Sequence, residues 1–201
     1  GDFLAAEQAI KSAYTERPSV SHLLVYIEIL NRLDKADRVL VLLESHHQLQ
    51  PDDKMVKVLL AEQYFYKQPN EAERLYRELL TEVPDNLIVL NNLAYFLKDK
   101  GKIDESLHLA KQAYALQPSN VAVVDTLAQV YVLQENYSEA VKIYKSVMKK
   151  DAGNTIVILN YIEALLKNNE IRLAQRELDS REWSTESDLA RIETMKATFN
   201  L

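Results

Sequence analysis

Four histidines, thirty acidic side chains and eleven tyrosines are the groups through which this 201-residue chain could do chemistry. A hydrolytic metal centre needs ligands converging from one helix face, as in His-Glu-x-x-His, and no histidine stands in such a motif. His46 and His47 are sequence neighbours that a helix points about 100° apart, so they grip a metal poorly. His46 is expected to be a partly buried histidine bonded locally. Cysteine is absent, which removes thiol nucleophiles, disulfides and cysteine-bound zinc together. With three glycines there is neither a phosphate-cradling loop nor a Gly-x-Ser-x-Gly elbow. Glu71, Glu73, Glu78 and Glu82 alternate with Arg74 and Arg77 at helical spacing, which suits pairing on a wet face better than an acid and a base sharing a pocket. Tyr26, Tyr76, Tyr131, Tyr144 and Tyr161 read as core aromatics rather than stacking platforms. Trp183, followed by Ser184, Thr185, Glu186 and Asp188, suits the start of a capped helix that it pins down. The expectation is a protein that is no enzyme, with no cofactor and no metal.

The elements that would carry these residues follow from punctuation. Five prolines and three glycines are too few for a sandwich or a βαβ fold, while 47% apolar residues supply a core, so helices joined by short turns are expected. Pro18, Pro51, Pro84 and Pro118 stand 33, 33 and 34 residues apart, and a further step of 34 reaches Ala152. Setting each proline at position 32 of a 34-residue unit puts Leu23, Val56, Leu90, Val124, Ile158 and Ile192 at position 4, all apolar. Tyr26, Leu59, Leu93, Leu127, Tyr161 and Met195 fall at position 7. Position 24 holds Ile10, Leu43, Tyr76, Ala110, Tyr144 and Leu178. These columns make one apolar stripe on each of two antiparallel helices per unit. Position 20 reads Ala6, Val39, Ala72, Ser106, Ala140 and Ala174, small wherever two backbones must cross closely, so Val39 is expected to mark a looser crossing. Gly1, Gly101 and Asn169 stand at position 15, where the first helix needs a left-handed terminus. Proline disfavours helix in the residue before it, so Gln50, Val83 and Gln117 are expected stop points.

The period and columns resemble the tetratricopeptide repeat across essentially the whole chain. The units run as a lone second helix over 1–19, repeats over 20–52, 53–86, 87–120, 121–154 and 155–186, and a capping helix over 187–201. Departures are Gln63 at position 11, His46 and Arg181 at position 27, and bulky Ile27, Leu60 and Ile162 at position 8. The resemblance implies an all-α, right-handed superhelical solenoid of antiparallel helix pairs, about twelve helices in one domain spanning 1–201. Because Gly1 falls in the middle of a hairpin, the chain is expected to be a piece of a longer array. Residues 87–131 (LIVLNNLAYFLKDKGKIDESLHLAKQAYALQPSNVAVVDTLAQVY) and the short helix after LAQRELDS are also similar to the carboxy-terminal region of bacterial PEP-CTERM and exosortase-system repeat proteins. That similarity implies a bacterial periplasmic or envelope-associated setting and a role in exopolysaccharide production or surface sorting. Lack of thiols suits cytoplasm and periplasm equally.

In this family the inward positions of the first helices are 2, 5, 6, 9, 12 and 13, which implies a groove lined by Lys54, Lys57, Tyr64, Asn91, Asn92, Tyr95, Lys98, Asp125, Thr126, Gln129, Asn160 and Glu163. Ala61, Phe65, Asp99, Val132 and Lys167 fall on the same wall, so Ala61→Leu is expected to cost little. Asn91 and Asn92 lie a turn inside their helix, where asparagine competes with the backbone, and amides suit an extended peptide or sugar hydroxyls. The rival reading has Asn91, Asn92 and Asp125 bonding across to neighbouring helices to hold the superhelix. The family's carboxylate clamp would need Lys57, Ala61, Asn92, Ala122 and Thr126 to be Lys, Asn, Asn, Lys and Arg; two match and the cationic pair is missing, which disfavours a chaperone adaptor.

A net charge of −6 with interspersed signs excludes a phosphate-neutralising stripe, so no nucleic acid is expected. No run approaches the roughly 18 apolar residues of a membrane span, so this segment is not expected to insert, and GDFLAAEQAIKSAY is not expected to act as a leader, since it lacks a charged stretch with an apolar run behind it. The functional expectation is a scaffold binding an extended peptide or partner helix in its groove. The alternative is a saccharide-binding subsite of a polysaccharide export apparatus. Exposed repeat ends make a homodimer a further expectation.

Overall fold

The computed structural model of the chain describes residues 2–148 and 154–201. Among them are twelve helices and no strand, an all-α fold. Two compact units divide at Pro84. The first, residues 1–84, holds α1 (Phe3–Glu16), α2 (Val20–Arg32), α3 (Asp37–Leu49), α4 (Lys54–Lys67) and α5 (Pro69–Glu82). The second, residues 85–201, holds α6 (Leu87–Asp99), α7 (Ile103–Leu116), α8 (Val121–Leu133), α9 (Tyr137–Met148), α10 (Thr155–Lys167), α11 (Ile171–Asp179) and α12 (Glu186–Phe199). In the first unit consecutive helices pack on one another, as do α6 through α11 in the second, where α6 also meets α8, α8 meets α10, and α12 packs on α10.

Starts and stops obey local chemistry. Ser19, Asp53, Asn86, Asn120, Asn154 and Thr185 cap the N-termini of α2, α4, α6, α8, α10 and α12, each accepting a hydrogen bond from an amide two or three residues on. Before the prolines, α1, α3, α5 and α7 end at Arg17, Gln50, Val83 and Gln117. Gly101 and Asn169 are left-handed at φ 73 and 62, as position 15 requires; Asp34 and Glu135 occupy the same position and are left-handed too, at φ 56 and 58. The C-cap bonding explains this: the amide of the following residue reaches back five places, as from Lys35 to Leu30 (2.9 Å), and only a positive φ allows it. At Lys67 the helix runs on, and Pro69 opens α5 two residues later. Gly1 and Ala152 lie outside the described residues.

A left-handed conformation strains a residue with a Cβ by about 1–2 kcal/mol. Glu135→Gly is therefore expected to stabilise the chain by about 0.5–1 kcal/mol after glycine's larger entropy loss. A urea-unfolding midpoint that stays put or falls would refute this.

The columns become the core. All of position 4 is buried, and Ala72, Ser106, Ala140 and Ala174 of position 20 are fully enclosed. At the α6–α7 crossing the Ser106 hydroxyl donates to the carbonyl of Ala94 across 2.6 Å, an approach that a larger side chain would prevent. Val39 is buried too. Ala61 departs from expectation: it is 0% exposed, because the small side chain is covered by its longer neighbours although its register faces inward. The tolerance expected of Ala61→Leu is thereby withdrawn.

His46 is 0% exposed, more deeply buried than expected, and its Nδ1 shares a 2.7 Å hydrogen bond with the Tyr14 hydroxyl, while Nε2 is buried without a partner. Burial, against the opposing carboxylate of Asp53, holds its pKa below the ordinary 6.5. The unfolded chain therefore takes up this proton first as pH falls. His46 contributes stability above pH 6.5 that is lost as pH drops toward the lowered folded value. Unfolding measured from pH 8 to pH 5 should show His46→Gln losing less stability than wild type, and parallel losses would refute it.

Candidate functional site

The wall implied for the groove is best formed in the second unit, where α6, α8 and α10 stand side by side. Register places positions 2, 5, 6 and 9 of each on one face, which brings Asp125 and Gln129 of α8 beside Asn160 and Glu163 of α10. Asp125 is the hub. Its Oδ1 accepts from the Tyr144 hydroxyl (2.7 Å) and Asn160 Nδ2 (2.8 Å), and its Oδ2 accepts from Gln129 Nε2 (2.6 Å). Gln129 Oε1 in turn accepts from Lys98 Nζ (2.6 Å), whose ammonium lies 3.2 Å from Asp99 and 3.9 Å from the centre of the Tyr95 ring.

The chain of bonds continues into α12. Arg191 Nη2 donates to Asn160 Oδ1 (2.7 Å) and Glu163 Oε2 (2.9 Å), and Lys167 pairs with Glu163 Oε1 at 3.1 Å. Burial raises Glu163, but the bonds from Arg191 and Lys167 prevail and hold its carboxyl below the ordinary range. Tyr144 is enclosed, and burial together with the Asp125 charge pushes its phenol well above 10. Lys98, Asp99, Gln129, Tyr144, Asn160, Glu163, Lys167 and Arg191 border an open cleft of about 400 Å³, whose lining is completed by Val132 and Leu133.

The remaining expected residues stand as follows. Thr126 is buried and returns its hydroxyl to the Ala122 carbonyl. Asn91 is half-buried with its Oδ1 enclosed and unpartnered, while Asn92 beside it makes a polar or ring interaction within the structure. Lys54, Lys57 and Tyr64 belong to the first unit. Lys57 is 3% exposed, with its ammonium 2.6 Å from Glu78 and 3.0 Å from Glu82 of α5; those bonds outweigh burial and raise its pKa. Lys54 reaches Glu82 at 3.3 Å. Tyr64 donates to Glu44 (2.8 Å), and burial with that carboxylate pushes it up to about 12. In the first unit, then, Lys57 ties the two helices of a hairpin together.

Arg191, Leu133 and the Tyr144 hydroxyl were not anticipated. Arg191 sits one place from inward position 2 of the last helix, a signal that was present, but its reach to α10 depends on a long side chain. Trp183 packs against the core and donates Nε1 to the Leu178 carbonyl (3.0 Å), so it does pin the segment leading to α12. Among the described residues no group of three or more His, Asp or Glu is placed to hold a metal, and no helix is long and apolar enough to cross a membrane.

A family profile described as tetratricopeptide repeat matches residues 1–181. A comparison with curated protein sequences finds no match. Among solved structures, a tetratricopeptide repeat protein from Parabacteroides merdae ATCC 43184 superposes with a TM-score of 0.79 at 16% identity, covering 98% of this chain and 80% of that one. PilW, a widely conserved type IV pilus biogenesis factor, gives 0.75 at 17% identity over 88% of this chain and 83% of its own. The human IFIT1 dimer with PPP-AAAA gives 0.70 at 20% identity over 89% of this chain and 45% of that one.

Proposed function

We propose, because the chain belongs to the tetratricopeptide-repeat family, that it is a non-catalytic scaffold whose protein partner lies along the α6, α8 and α10 wall of the second unit. The family commonly serves protein interaction. What carries the reading is the open cleft of about 400 Å³ edged by amide, charged and apolar side chains of successive helices, the kind of concave surface on which a partner segment finds both hydrogen bonds and apolar contact. The setting is the assembly of a bacterial envelope, exopolysaccharide or surface-sorting system, supported by the resemblance of residues 87–131 to repeat proteins of that kind. Nucleic acid is not the partner in this reading, since Lys98, Lys167 and Arg191 are each paired to an acid of the same wall.

A second reading, a saccharide held in the same cleft, is favoured by the adjoining amides of Gln129 and Asn160, which offer donors and acceptors to sugar hydroxyls. Cross-linking of the immobilised chain in extracts, followed by peptide mapping, should place partner adducts on α6 to α10, while a glycan array stays blank. Adducts confined to other helices would remove the wall, and a strong glycan signal without adducts would favour the sugar.

A further inference from the structure

We propose that the α6, α8 and α10 wall takes an extended peptide segment without formal charge, with an apolar residue at every third position; this rests on the wall being the partner site.

The first ground is that the wall's charges are matched from within. Lys98 is held by Asp99 and Gln129, Arg191 by Asn160 and Glu163, Lys167 by Glu163, and Asp125 accepts from three donors. A charged partner group would have to displace one member of such a pair and leave the other uncompensated in a half-buried site, which makes charge a penalty here rather than an attraction. Uncharged main chain meets no such penalty. The second amide hydrogens of Gln129 and Asn160 and the spare lone pairs of Glu163 remain to bond it.

The second ground is an apolar ledge along the same wall. Ile88 is 55% exposed and Ile156 63% exposed, and with exposed Ala122 they occupy position 2 of α6, α10 and α8. Each stands about one turn ahead of an inward polar residue of its own helix, Ile88 before Asn92, Ala122 before Asp125 and Ile156 before Asn160, with Gln129 and Glu163 a further turn along the same face. Packed helices lie about 8–10 Å apart, and three residues of polyproline-type backbone advance about 9 Å, whereas two residues of flat strand advance only about 7 Å. Apolar side chains at i, i+3 and i+6 of an extended segment therefore meet the three ledge residues in turn. A helix could match the spacing at i and i+7, but its main-chain groups are bonded internally and would leave the wall's amides nothing to read.

The test is a random library of about twelve-residue peptides displayed on phage and panned on the full chain, with the winning peptide then synthesised. Enriched peptides should carry near-zero net charge and apolar residues at three-residue spacing. The synthetic peptide should lose at least about tenfold in affinity to Ile156→Asp and to Ile88→Asp, with circular dichroism unchanged, and shift less than about twofold between roughly 50 and 300 mM salt. Enrichment of acidic or basic peptides with steep salt dependence, or of heptad-spaced helical ones, would overturn the inference yet leave the wall as the partner site. No enrichment, or binding indifferent to both ledge substitutions, would overturn the wall as well.

Discussion

Asp125→Ala is expected to destabilise the chain by about 2–4 kcal/mol, because it leaves the enclosed Tyr144 hydroxyl, the Asn160 amide and the Gln129 amide without their acceptor, at about 1–3 kcal/mol for each buried group left unpaired, less what relaxation recovers. The melting temperature should fall by about 5–15 °C for a chain of this size. Asp125→Asn keeps an acceptor in place and should recover most of the loss. In a double-mutant cycle, Tyr144→Phe should cost less in the Asp125→Ala background than in wild type, because its partner is already gone. Asn91→Ala supplies the contrast. Its Oδ1 is buried and unbonded, so truncation removes a desolvated acceptor and should change stability by no more than about 0.5 kcal/mol. Equal losses at Asp125 and Asn91 would dissolve the distinction between a residue that ties helices together and one that faces the wall.

Ala140→Leu and Ala61→Leu are each expected to cost about 1–3 kcal/mol, since both alanines are fully enclosed and three added carbons force neighbouring side chains from their rotamers or the helices apart. Ala140 sits at the α8–α9 crossing in the second unit and Ala61 on α4 in the first. Urea unfolding of the two variants reads the effect. A loss at Ala140 alone would show that the Ala61 pocket yields, returning that position to the tolerant wall that register implied.

The fold was legible because its punctuation is local. Proline at position 32 acts on the residue before it, so Arg17, Gln50, Val83 and Gln117 end their helices whatever the tertiary setting. Gly101 and Asn169 advertised a left-handed terminus through their own chemistry, Asp34 does so more weakly because aspartate tolerates that region, and Glu135 carries nothing that marks it; the period alone places it there. The candidate wall was legible in direction but not in reach. Register shows which way Asp125 and Asn160 point. It does not show that Tyr144, counted as core for its ring, sends its hydroxyl to Asp125, nor that Arg191 spans 31 residues of sequence to Asn160. Ala61 failed for a related reason: exposure depends on how far the neighbours extend, and a short side chain at an inward position is covered by long ones.

Within the second unit the widest hydrogen bond of the Asp125 network joins residues 35 apart in sequence, about one repeat. Contacts of such short sequence separation need little chain diffusion to form, and proteins dominated by them fold in microseconds to milliseconds. Refolding after a denaturant jump should accordingly be fast. Asp125→Ala should act chiefly on the unfolding arm of the chevron if the hairpins assemble before the cross-helix bonds close, because interactions formed after the barrier set how fast the native state is lost.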